Sequence, residues 1–268
     1  MNGRTPEAIR FDTVADIYDF YVQTQVDIPF WLFEAKATGG KVLELTSGTG
    51  RVSIPLLKAG IELTCVDYAP EMLELLRKKM KRDNLSCPTT LQDIAHLKLT
   101  HRFDMIFIPF HSFSELVQED KRRSALVGIR EHLTDHGVFI CTLQNPTVRT
   151  ASMDGTVRLL GEFLLPNDER LVVNSRLLFE PSSQLAKGVQ LYDRYSSDGR
   201  RVDHRELQMC FYLFHKQQFE SLVSNVGFEV AALYGDYDRK PYDEQSSPYM
   251  IWKLRKSATG QRRQRNGA

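Results

Sequence analysis

The sequence is poor in the features that would fix a compartment or a metal at a glance. Its 268 residues hold four cysteines, Cys65, Cys87, Cys141 and Cys210, with no C-x-x-C pair among them. That spacing argues against a zinc site or a disulfide framework and predicts reduced, mostly buried thiols. No apolar run approaches the roughly 18 residues that span a bilayer. Residues 1–7 lack the apolar core of a secretory signal, so the expected location is cytoplasmic, with no membrane partner. The formal net charge is only +1, so no global field draws the body onto nucleic acid. Three arginines, Arg262, Arg263 and Arg265, crowd into residues 257–268, which read as a disordered basic tail.

What is present is a change of texture along the chain. Residues 11–33 carry Ile17, Phe20, Tyr21, Ile28, Phe30, Trp31 and Phe33 and read as one or two helices closed by Gly39-Gly40. From Lys41 short apolar runs alternate with amphipathic stretches. Residues 41–45, 61–66, 89–92, 103–109 and 138–142 read as strands, and 52–59, 69–82 and 114–133 as helices. This alternation predicts a doubly wound α/β fold with a parallel sheet. After Asn145-Pro146, residues 157–163, 171–179, 185–195 and 202–214 alternate apolar with polar. Turns such as Ser197-Asp-Gly199 separate them, so they read as antiparallel strands. A helix over 216–226 and strands over 228–234 and 249–254 then restore the first pattern. The antiparallel block is therefore an insertion, at about 150–214, into an α/β domain of residues 39–256, with residues 1–38 as a helical cap.

The segment Val42-Leu-Glu-Leu-Thr-Ser-Gly-Thr-Gly50 joins a strand to a helix through a turn holding Gly48 and Gly50. Small residues there let backbone amides approach a ligand. There is no third glycine and no G-K-[ST], which argues against a dinucleotide pyrophosphate or a P-loop. Glu44 in the strand end suits a cationic ligand. At the tip of the second strand Asp67 is placed either to accept hydrogen bonds from a ribose diol or simply to cap the next helix. Asp93, beyond the third strand, is a candidate acceptor for an adenine amine or a surface carboxylate.

This ordered set resembles the class I S-adenosylmethionine-dependent methyltransferases over roughly residues 11–254. The resemblance implies a seven-stranded Rossmann-like sheet and S-adenosyl-L-methionine as cofactor, with S-adenosyl-L-homocysteine as product. It implies that Gly48 and Gly50 line the methionine and ribose, that Glu44 organises the loop, and that Asp67 holds the ribose hydroxyls with Tyr68 beside the adenine. Asp93 and Ile94 would border the adenine, and Pro109-Phe-His-Ser112 would flank the methionine. Thr46 departs from the glycine the family often has there. Gly48-Thr-Gly-Arg51, Asn145-Pro146, the insert and Leu233-Tyr-Gly-Asp-Tyr237 resemble a bacterial small-molecule subgroup, of which glycine and amino-sugar N-methyltransferases are examples. In that subgroup an aromatic helix like Ala15-Asp-Ile-Tyr18-Asp covers the cofactor.

Methyl transfer from a sulfonium needs positioning, exclusion of water and sometimes removal of a proton. His111, after the fourth strand, is a candidate base with an intrinsic pKa near neutrality, or a loop histidine that only packs. Tyr21 and Tyr18 would face the methyl group or fill the core. On the insert, Tyr192 and Arg194 share one face of a strand and Tyr195 takes the other, as an acceptor-binding floor, an ordinary two-sided sheet or a homodimer surface. Ile108-Pro-Phe-His111 lacks the Asn/Asp-Pro-Pro-aromatic motif of base-amino methyltransferases, which points to a small-molecule acceptor rather than nucleic acid. The alternatives are an RNA or protein methyltransferase working through its tail and a non-catalytic cofactor-binding protein.

Overall fold

The computed structural model describes residues 8–258. Two short helices lead in, α1 (Ala15–Tyr21) and α2 (Ile28–Thr38). Pro29 stands in the first turn of α2, and Gly39 ends it in the left-handed conformation at φ 67°, the usual division of labour between these residues at helix ends. The alternating segment then runs β1 (Val42–Leu45), α3 (Ser53–Lys58), β2 (Leu63–Asp67), α4 (Pro70–Arg82), β3 (Thr89–Leu91), β4 (Phe103–Ile108), α5 (Glu119–His132) and β5 (Leu133–Gln144). After the four-residue α6 (Pro146–Arg149) come β6 (Asp154–Leu164), β7 (Arg170–Glu180), β8 (Leu185–Tyr195) and β9 (Arg201–Tyr212). α7 (Lys216–Asn225), β10 (Phe228–Tyr234) and β11 (Tyr249–Lys256) complete the chain.

The expected seven-stranded sheet forms in the order β10-β11-β5-β4-β1-β2-β3. The five strands from β5 to the β3 edge are parallel, while β10 and β11 join antiparallel at the other edge. β1 is buried at all four positions, as a strand covered on both faces must be. Leu43 and Leu45 face a core shared with Leu126 and Ile129 of α5 and with Phe219 and Val223 of α7. Val42 faces the other core, with Trp31 of α2 and Leu73 and Leu76 of α4. There Trp31 stacks on Phe107 with ring centroids 4.7 Å apart. The strand order reverses between β1 and β4, and in such sheets a crevice opens at the carboxyl ends of the strands on either side of that point.

The antiparallel block makes its own four-stranded sheet, β6-β7-β8-β9. Its inner face packs Val173, Tyr192 and Leu207 against Ile9, Val14 and Ile17 of the N-terminal segment. The helix expected over residues 114–133 is broken. Ser112–Glu115 forms a 3-10 turn, and α5 starts only after an extended Gln118. At the break Arg122 donates to the carbonyls of Leu116 and Val117, which a continuous helix would have used itself. The expectation of a disordered tail falls largely on residues 259–268, outside the described residues.

Candidate active site

The loop after β1 turns on left-handed residues. Thr46 stands at φ 59° and Gly48 at φ 54°. Such a φ strains a β-branched residue, and Thr46 Oγ1 bonds the carbonyl of Leu45 at 2.5 Å. A Cβ added at Gly48 would meet nothing within 4 Å, whereas one at Gly50 would lie 2.4 Å from Leu76 Cδ1. Gly48 thus keeps the loop open, and Gly50 lets it pack on α4. Asp67, buried at the tip of β2, holds the loop from behind: Oδ2 accepts from the Gly48 amide at 2.7 Å and Oδ1 from the Ala69 amide at 2.9 Å. Burial raises its pKa, and these amides oppose the shift.

In front of this loop lies a cavity of about 680 Å³, a size common for ligand sites. Thr46, Gly48, Asp67, Tyr68 and Met72 line one end. Phe110, His111, Ser112, Ser114 and Glu115 follow β4 along its side, joined by Gln144, Val148 and Arg149 after β5. Tyr18 and Tyr21 of α1 close it. Phe163, Ser175, Leu177, Gln190, Met209 and Phe211 of the insert form the opposite wall. The strands alternate, so each of β7, β8 and β9 contributes one face to the cavity.

Helix α1 is clasped to both halves. Asp19 accepts from Thr49 Oγ1 at 2.6 Å and pairs with Lys79 at 2.5 Å. Asp16 receives both terminal nitrogens of Arg205 on β9, at 2.5 and 3.0 Å. A second anchor lies at the loop's base. Arg51 pairs bidentately with the buried Asp27, at 2.5 and 2.7 Å, and its guanidinium rests over Phe110.

Of the residues singled out in the sequence, Tyr18, Tyr21, Gly48, Asp67, Tyr68 and His111 line the cavity. The others lie elsewhere. Glu44 sits in the core behind the loop, accepts from Ser53 Oγ at 2.5 Å, and has its pKa pushed by burial up to about 8. It supports the loop's base and does not present a charge to the cavity. Asp93 accepts from the Ala95 amide as the cap of a 3-10 turn, and Ile94 is buried in the core. Pro109 and Gly50 also stand off the lining.

On the acceptor side, none of Tyr192, Arg194 and Tyr195 lines the cavity. Tyr192 is on the inner face but beneath α1, its Oη 2.9 Å from Tyr21 Oη and 2.7 Å from Gln190 Oε1. It positions two lining residues without being one. Arg194 lies 3.5 Å from Glu169, and Tyr195 takes the outer face under Arg170. The strand was read correctly, but the part of its inner face that meets the cavity begins at Gln190. Periodicity gives the face; only the docking of the N-terminal segment over one half of it decides which residues remain open.

His111 stands at φ 67° and Phe110 at φ 57°, two successive left-handed non-glycine residues, strain of a kind that gathers at functional sites. His111 Nδ1 is buried without a hydrogen-bond partner among the described residues. Burial, with Arg149 nearby, lowers its pKa to about 4. The ring is therefore neutral at pH 7 and a weaker base than the sequence suggested. Burial raises the pKa of both Tyr18 and Tyr21, so each remains a protonated phenol. Sequence reasoning missed Glu115, Gln144 and Arg149; the run Ser112-Phe-Ser-Glu115 looked like the first turn of a helix.

Residues 42–137 match a family model described as a methyltransferase domain. That stretch is a methyltransferase domain. A glycine/sarcosine N-methyltransferase from Aphanothece halophytica is 23% identical to this methyltransferase, covering 88% of this chain and 84% of its own. One from Parasynechococcus marenigrum is 26% identical, over 88% and 85%. Among solved structures, the CcbJ methyltransferase from Streptomyces caelestis superposes with a TM-score of 0.79 at 24% identity, covering 95% of this chain and all of that one. CalS10, an amino pentose methyltransferase from Micromonospora echinaspora solved with SAM bound, gives 0.69 at 16% identity, over 94% and 100%. Among the described residues no helix of this methyltransferase is long and apolar enough to cross a membrane, and no cluster of His, Cys, Asp or Glu could hold a metal.

Proposed function

We propose that this chain moves the methyl group of S-adenosylmethionine to a nitrogen or oxygen of a small metabolite. The observation that carries this reading is a single cavity with Gly48, Asp67 and Tyr68 at one end and the insert's inner face opposite. The residues present suit the donor. Asp67 keeps lone pairs free for ribose hydroxyls beyond its two amide bonds, the open backbone at Gly48 admits the methionine, and Tyr18 and Tyr68 supply aromatic surface. Behind this wall Glu44 and Gly50 set the loop's shape. Asp93, Ile94 and Pro109 lie off the cavity's lining, and any part they take in holding adenine or methionine would be indirect.

When bound, S-adenosylmethionine supplies a methyl group on a sulfonium, a good leaving group that needs no acid. The protein aligns the acceptor and excludes water; α1, clasped at Asp16 and Asp19, closes the site. The N-methyltransferases among its relatives favour nitrogen over oxygen. The four free thiols support a reducing, cytoplasmic setting.

Calorimetry of the full chain with S-adenosylmethionine tests the reading and should give micromolar-range binding. A folded sample with no detectable heat of binding would end it.

A further inference from the structure

Asp67 and Glu115 are the two carboxyl groups on the cavity wall. Asp67 accepts a backbone amide on each oxygen and belongs to the donor loop. Glu115 pairs with no cation among the described residues; the hydroxyl of Ser112 is its polar neighbour. Glu115 is half-buried with this one hydroxyl neighbour and no cation among the described residues, so a ligand that brings the opposite charge is favoured there.

Its place in the fold says which ligand. Glu115 ends the 3-10 turn before α5, at the break where Arg122 donates. That turn packs against β5 on one side and β9 of the insert on the other, where the donor half of the cavity meets the opposite wall of Met209 and Phe211. Asp67, on the facing side, already marks the donor's end.

We propose that Glu115 receives the acceptor as a protonated amine and takes its proton, making the acceptor class a primary or secondary amine. This rests on the methyltransferase reading above. Around Glu115, Asp67 faces it from β2, Tyr68 from the start of the next loop and Tyr18 from α1, and none of these is cationic. Burial and then Asp67 push the Glu115 carboxyl up to about 8. An ammonium alongside lowers it again, so Glu115 meets the acceptor as a carboxylate, the form able to accept its proton. The ammonium gives one N–H proton to Glu115. The freed nitrogen lone pair then bonds the methyl carbon as the carbon–sulfur bond breaks, its electron pair going to sulfur. The neutral thioether and a methylated ammonium remain, and Glu115 releases its proton to solvent.

The test pairs amines with their hydroxyl counterparts, cyclohexylamine with cyclohexanol and glucosamine with glucose, following S-adenosylhomocysteine release. Binding of each probe to the S-adenosylhomocysteine-loaded protein is measured in parallel. The amines should exceed their partners by about a hundredfold. Glu115→Gln should lower kcat/KM for amines by about a hundredfold, abolish the acid limb of the pH profile, and leave S-adenosylmethionine affinity within about twofold. Glu115→Asp should restore the limb in part, which a merely structural role would not do. Equal methylation of hydroxyl probes, full activity in Glu115→Gln, or amines that neither react nor bind would each overturn the proposal. So would a matching loss of S-adenosylmethionine affinity, because Glu115 would then serve the sulfonium. If the wild-type chain fails to bind S-adenosylmethionine at all, the methyltransferase reading falls first.

Discussion

Replacing Asp67 with alanine removes two acceptors at once. The Gly48 amide loses its partner at 2.7 Å and the Ala69 amide its partner at 2.9 Å, and a buried donor left unpaired costs about 1–3 kcal/mol. Part of this is returned, because Asp67 is buried and its raised pKa records an unfavourable desolvation. The expected net loss of stability is about 1–3 kcal/mol. Donor binding suffers separately. Ribose hydroxyls hydrogen-bonded to a carboxylate contribute about 1.5–3 kcal/mol, so affinity for S-adenosylmethionine should fall roughly 10- to 150-fold. Asparagine should fall between, since its oxygen still accepts one amide while its NH2 group faces the other. Calorimetry with S-adenosylmethionine and S-adenosylhomocysteine, on samples shown to be folded by their melting transitions, measures all three. An alanine variant that folds and binds within twofold of wild type would refute the role given to Asp67.

Two further tests probe the framework. Between pH 4.5 and 8 the folded chain holds a proton on Glu44 that the unfolded chain has released, so this group's contribution to stability falls as pH rises through that window. Glu44→Gln should flatten the slope by at most about 5 kcal/mol, read as urea midpoints at pH 5 and pH 8.5; an unchanged slope would count against it. Asp27→Ala leaves the Arg51 guanidinium without its bidentate partner and Trp31 Nε1 without its 3.0 Å acceptor. It should cost about 3–5 kcal/mol in chemical denaturation, and a loss below about 1 kcal/mol would show that the pair is solvated.

The parallel strands were legible because strands buried on both faces leave continuous apolar runs, as in Val42-Leu-Glu-Leu45 and Phe103-Asp-Met-Ile-Phe107. The loop chemistry was legible because Gly48 and Gly50 answer to local backbone needs, and the left-handed φ of Thr46 appears where the sequence departs from glycine. Glu115 was not legible, because its exposure to the cavity goes with the break where Arg122 reaches back to two carbonyls, a tertiary choice that helical propensity does not encode. Nor was the sorting of Gln190 from Tyr192 and Arg194. All three share a strand face, and the residues that cover part of that face lie some 170 positions earlier in the chain.

The double clasp of α1 bears on both halves of the site. The helix lies across the cavity and is fastened to the donor loop at Thr49 and Lys79 and to the insert at Arg205. Any displacement of this helix would therefore disturb both halves of the site together. Both fastenings are partly open to water: Asp16 keeps 58% of its side-chain surface and Asp19 39%. Dissolved ions weaken such pairs. The hold of α1 on the two halves should therefore weaken in step as the ionic strength of the medium rises.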